Sequence, residues 1–166
     1  CRLSFGRTIK FRHNDVSDLE RILTSQDLED APGALVITEG VFSMEGDLGK
    51  LPDIVALKKK YGYRILLDDA HGVGYLGQGG RGAAEHFNVE KEVDLIMGTF
   101  SKSFASLGGF VVGDEEPVDW IQHHARTLIF SASMRRSSPA FRNTLFSSTV
   151  LTAAILMLPL MWPRRP

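Results

Sequence analysis

The chain has 166 residues, 43% of them hydrophobic, and a formal charge of −1. That length fits one domain, the hydrophobic share excludes a disordered polymer, and the charge leaves no basic footprint for nucleic acid. A single cysteine, Cys1, excludes a disulfide framework and suits a reducing, cytoplasmic compartment.

The opening Cys1-Arg2-Leu3 has neither an initiating methionine nor an apolar leader core, so the chain reads as a fragment without a signal peptide. Residues 3–11 mix Arg and Lys with Leu, Phe and Ile in rough alternation and read as a strand or extended segment. Asn14 or Asp15 stands where a helix cap belongs, and Val16, Leu19, Ile22 and Leu23 share one face of a helix over 16–23. Ala31-Pro32-Gly33 breaks it. Residues 35–38 read as a buried strand, and 39–50 as a glycine-containing loop that ends at Pro52, in the first turn of a helix. Ile54, Leu57 and Tyr61 share a face of that helix, and Gly62 ends it. Residues 64–67 form the next expected strand, with a glycine-rich loop to Gly82. A further strand starts at Glu92 or Val93 and runs to Met97. A polar loop over 98–103 separates it from a second apolar run at 110–112. A helix is expected over 118–125 and a strand over 128–131. Strands alternating with helices predict an α/β fold, a mostly parallel sheet with flanking helices. No internal repeat is present.

Two of these loops carry chemistry. Open α/β sheets bind ligands at the carboxyl ends of their strands. Lys102 follows such a strand, and a lysine desolvated there acquires a lowered pKa and traps carbonyls; a solvated loop lysine is the plain alternative. Asp68 closes the run Ile65-Leu66-Leu67, and His71 comes three residues later. An acid at a strand tip beside a histidine suits a protonated ring nitrogen, the group that pyridoxal phosphate chemistry needs to keep charged. On its own the string serves equally as a metal site or a helix cap. Gly72, Gly74, Gly77, Gly79, Gly80 and Gly82 match neither a P-loop nor a dinucleotide fingerprint. They read as a flexible loop with positive φ at several points, near a cofactor or a partner subunit.

Three motifs then combine: TEGVFSMEGD (residues 38–47), LLDDAHGVGYLG (66–77) and GTFSKSFASLGG (98–109). With them the chain resembles the α-oxoamine synthases, pyridoxal-phosphate enzymes of the aspartate-aminotransferase fold type, fold type I. The likeness extends from about Arg2 to Met134 and includes HND at residues 13–15 and WIQHHARTLIFSASM at 120–134. It implies a partial large domain over residues 1–134, followed by a divergent tail over 135–166 that reads like a frame change. It also implies roles. Lys102 is the Schiff-base lysine and the base for the Cα proton. Asp68 pairs with the pyridine nitrogen, and His71 lies near the phenolic oxygen. Ser43 contacts the cofactor and Thr99 the phosphate. Ser101 assists Thr99, orients Lys102, or merely caps the loop. Ser131 and Ser133 reach the phosphate of a neighbouring subunit, which implies a homodimer in the full-length form. No metal is implied.

TFSKSF followed by ASLGG is similar to the family member that condenses L-serine with a long-chain acyl-CoA, releasing coenzyme A and carbon dioxide and giving 3-ketosphinganine. Another member joining an amino acid to an acyl-CoA, or a truncated non-catalytic domain, stands as the alternative. The resemblance places a ring-stacking segment upstream and a carboxylate-binding arginine downstream of this stretch, so the fragment is expected to be inactive alone. Glu45, Asp47 and Asp69 read as loop acids near a basic surface, and Glu39 stays open as a catalytic carboxylate. His123 and His124 read as structural or exposed. Residues 145–162 are apolar and suit a surface helix or a membrane segment.

Overall fold

The computed structural model describes residues 6–25, 33–106 and 108–125. Their elements are α1 (Val16–Leu23), β1 (Leu35–Glu39), α2 (Leu51–Tyr61), β2 (Arg64–Asp68), α3 (Ala83–His86), β3 (Leu95–Thr99), β4 (Gly109–Gly113) and α4 (Glu115–His124). The strands form one sheet in the order β1-β2-β3-β4. The first three are parallel and β4 is antiparallel to β3. The expected α/β sheet is present. Residues 6–12 lie in no strand, and the expected strand over 128–131 falls outside the described residues.

Local signals explain most of the elements. Asp15 caps α1 by accepting the Asp18 N–H. Pro52 sits in the first turn of α2, where the missing N–H costs nothing, and Gly62 closes it at φ 73°. Elements β3 and α4 differ most from expectation. β3 begins at Leu95 and continues through Gly98 and Thr99, because β4 pairs Phe110 with Gly98 and Gly109 with Thr99. Helix α4 starts at Glu115 instead of Val118, since Pro117 fits a first helical turn as well as a loop.

The sheet has two unequal faces. Val36, Ile65 and Leu67 point to one face and join Leu51, Ile54, Val55 and Leu57 of α2 and Leu19 of α1 in the main core. Leu51, Ile65 and Leu67 are fully buried, each worth about 1.5–3 kcal/mol of transfer free energy. The other face carries Met97 and Val111 under Ile121 of α4. At its β1 end, no described helix packs on it, and Ile37 there is 38% exposed. Among the described residues, no helix is long and apolar enough to cross a membrane.

Candidate active site

Strand register assembles the first part of the site. Glu39, Asp68 and Met97 are successive partners across β1, β2 and β3. Residues in register share a face, and Thr99 lies two residues beyond Met97 on the same side. Asp68 and Thr99 therefore stand together at the carboxyl edge, on the less covered face of the sheet. The half-buried Asp68 accepts the Ala70 N–H through Oδ1 at 3.1 Å. Thr99 Oγ1 is buried and has no hydrogen-bond partner among the described residues. His71 is half-buried in the turn after β2, while Ser101 and Lys102 are exposed in the loop after β3.

Asp69 corrects the expectation of a loop acid near a basic surface. Its side chain has no exposed area. Alternation along the chain turns it away from Asp68 and under the glycine-rich loop. Oδ2 accepts the Ala83 N–H at 2.6 Å, whereas Oδ1 has no hydrogen-bond partner among the described residues. A Cβ on Gly40, Gly72 or Gly82 would lie within 2.2 Å of one of its oxygens. Three glycines thus make room for one acid. Burial pushes this carboxyl up to about 6, against the Ala83 hydrogen bond and with help from the Asp68 charge.

Glu85 fixes the far end of the same loop. It accepts N–H groups from Gly79, at 3.0 Å, and Arg81, at 2.9 Å, and pairs with the Arg81 guanidinium. The Arg81 N–H foremost, helped by the Gly79 N–H and the guanidinium, holds its carboxyl below the usual range although desolvation pushes it up. The loop has the positive φ values expected at Gly74, Gly77, Gly80 and Gly82. It is clamped by two acids rather than left loose, and the donors at Gly79 and Arg81 are engaged by Glu85.

The remaining loops are anchored to the sheet edge. The described residues of the loop after β3, 100–106 and 108, fold back on themselves: the Phe100 N–H donates to Gly108 O, Ala105 N–H to Lys102 O and Ser106 N–H to Phe100 O. Phe100 and Phe110 pack with Val73 as a small core under Phe104. Ser103, given no role from sequence, donates its hydroxyl to Val73 O at 2.6 Å. The HND turn holds the Ser43 loop. Asn14 Nδ2 donates to Asp47 Oδ2 and Leu48 O, both at 2.9 Å, and Asn14 Oδ1 accepts the Lys50 N–H at 3.0 Å. The His13 ring meets Phe42 edge-on at 4.4 Å. Ser43 itself is exposed. His123 and His124 are exposed on α4, as expected, and their rings bond the carbonyls of Asp119 and Trp120. Ser131, Ser133 and the tail over 135–166 lie outside the described residues. Among the described residues, no cluster of three His, Cys, Asp or Glu side chains suits a metal ion.

The sequence is 54% identical over 132 residues to a serine palmitoyltransferase of Bacteroides ovatus, covering 80% of this chain and 33% of that protein. It is 45% identical over 139 residues to an 8-amino-7-oxononanoate synthase of Petrotoga mobilis, covering 84% and 35%. A solved structure of SPT with a PLP internal aldimine superposes with a TM-score of 0.69 at 42% identity, over 76% of this chain and 31% of the other. The chain thus spans about a third of the length of these relatives. The family model for aminotransferase class I and II matches residues 1–144. On that match, and on the sheet with its loaded carboxyl edge, the chain belongs to the aminotransferase class I and II family.

Proposed function

We propose that this chain is the cofactor-binding part of a pyridoxal-phosphate enzyme of the serine palmitoyltransferase type, which joins L-serine to a long-chain acyl-CoA in the first step of sphingolipid synthesis. The observation that carries the reading is the shared edge: Asp68 and Thr99 on one face, with the Lys102 loop bonded to the loop that follows Asp68. The identity of 54% to serine palmitoyltransferase, against 45% to 8-amino-7-oxononanoate synthase, favours serine as the amino acid.

The residues present fit a phosphorylated pyridine aldehyde. Thr99 Oγ1 is a buried hydroxyl whose proton has no acceptor among the described residues, and a phosphate oxygen would satisfy it. Asp68 offers a half-buried carboxylate that holds a proton on a ring nitrogen. Lys102 offers a primary amine to an aldehyde and, once free, takes the Cα proton of the amino acid. His71, half-buried in the turn three residues after Asp68, is assigned the phenolic oxygen, and the exposed Ser43 and Ser101 further polar contacts. When bound, pyridoxal phosphate supplies the electron sink for the carbanion at Cα. Ser131 and Ser133 complete the phosphate contacts in a homodimer of the full-length enzyme, in the cytoplasm. The division into a large-domain part over 1–134 and a divergent tail over 135–166 belongs to the same proposal, and sequencing the gene for a frame change near Arg135 tests it.

Incubation with pyridoxal phosphate, borohydride reduction and peptide mass mapping test the cofactor reading. A pyridoxyl group on Lys102, lost in Lys102→Ala, is the expected result, and no adduct overturns it. The 8-amino-7-oxononanoate synthase similarity supports a second reading within the family. Turnover by the full-length enzyme with L-serine and palmitoyl-CoA, against glycine or alanine with other thioesters, separates the two.

A further inference from the structure

We infer that Ser103 is a positioning residue that locks the amine-bearing loop to the loop that follows Asp68. The inference rests on the cofactor reading for its purpose, though not for its geometry. Two loops meet at the carboxyl edge. One follows β2 and carries His71; its base is fixed because the Gly72 and Val73 N–H groups donate to Asp69 O at 3.0 Å. The other follows β3 and carries Lys102, and its backbone bonds close largely upon itself.

Two kinds of contact among the described residues join them. Phe100, Phe104 and Phe110 pack around Val73, and apolar contact of this sort is non-directional, so it holds the loops together without fixing their register. The Ser103 hydroxyl supplies direction. It donates to Val73 O at 2.6 Å, within the normal range for O–H···O. The approach is close enough that a Cβ on Gly74 would fall 2.5 Å from Ser103 Oγ and 3.0 Å from Phe104 Cζ. Gly74 also sits at φ 83°, so that position admits no side chain without strain. Ser103 immediately follows Lys102. A bond at this residue therefore limits rotation of the lysine backbone and sets the path from which its amine leaves the loop.

Two measurements test the inference on the 166-residue chain. Hydrogen exchange without cofactor reads the tether itself. Ser103→Ala should speed exchange at residues 72–76 and 102–106 together by about fivefold, the effect of one lost neutral hydrogen bond. Ser103→Thr, which keeps the hydroxyl, should leave both segments at the wild-type rate. No acceleration, or acceleration confined to 102–106, overturns the inference. The second readout is the rate at which borohydride traps pyridoxal phosphate on Lys102. It should fall by about the same factor in Ser103→Ala and recover in Ser103→Thr; equal rates in Ser103→Ala and wild type overturn the positioning role. A wild-type chain that traps nothing at Lys102 overturns the cofactor reading instead, and the exchange result then decides Ser103 alone.

Discussion

Asp69 brings a carboxyl into a site with no exposed surface, directly beside Asp68. Its neighbour sits at the carboxyl edge, and the two acids meet different surroundings because consecutive side chains leave the backbone on opposite sides. The raised value of about 6 has a definite sign. Unfolded, the group releases its proton near 3.8; folded, it keeps the proton until about pH 6. Its ionisation therefore opposes folding progressively between those limits, and the cost stays constant above them. The gap corresponds to about 3 kcal/mol. Asp69→Asn keeps an acceptor for the Ala83 N–H and cannot ionise. Urea denaturation at pH 4 and at pH 7 should show the variant gaining up to about 3 kcal/mol on the wild type between the two. A difference that stays flat with pH would mean that folding does not raise the Asp69 pKa. None of this is legible in D-D-A-H, where both acids look alike. Only the three glycines whose missing Cβ atoms make room for Asp69 reveal it.

Elements were legible where one short stretch carries the whole signal. Asp15 and the apolar face of Val16, Leu19 and Leu23 specify α1, and Pro52 with Gly62 brackets α2. Signals that depend on a distant partner were not. Gly98 and Thr99 look like loop, and they become strand because β4 comes back alongside them. Four-residue α3 is too short to show a helical period. Asp94 is a similar case at the opposite edge of the sheet. It accepts Lys58 Nζ from α2 and the Ile65 N–H and Arg64 guanidinium from β2, so one acid joins three elements just ahead of β3. Desolvation raises its pKa, but Lys58, the Ile65 N–H and Arg64 outweigh that and leave it lowered. A depressed carboxyl contributes stability above its unfolded pKa and loses it as pH falls through the folded value. Asp94→Ala leaves a largely buried Lys58 without its ion pair and should cost about 3 kcal/mol at pH 7. In urea melts the deficit should shrink below pH 4, where wild-type Asp94 is itself being protonated. A deficit unchanged in acid would assign the loss to packing.

Among the described residues, the sheet is covered unequally. Helices α1 to α3 close one face, while on the face that carries Asp68 and Thr99 the described residues cover β3 and β4 with α4, and Ile37 of β1 is 38% exposed. Binding and turnover make different demands on such a surface. On the proposed reading, an amine, an acid and an unpartnered hydroxyl meet an aldehyde, a ring nitrogen and a phosphate. Carbanion chemistry also needs water kept away from the reacting atoms, so that fixed charges act at full strength. Lys102 is exposed, so water reaches the amine that would meet the aldehyde. The chain should therefore trap pyridoxal phosphate on Lys102 yet release no coenzyme A from palmitoyl-CoA in the presence of L-serine, under conditions where the Bacteroides ovatus relative turns over. Thiol release followed with a chromogenic disulfide checks this directly. Steady release at a rate near that of the relative would show that the described edge excludes water without further cover, and would move the catalytic requirement back onto these loops.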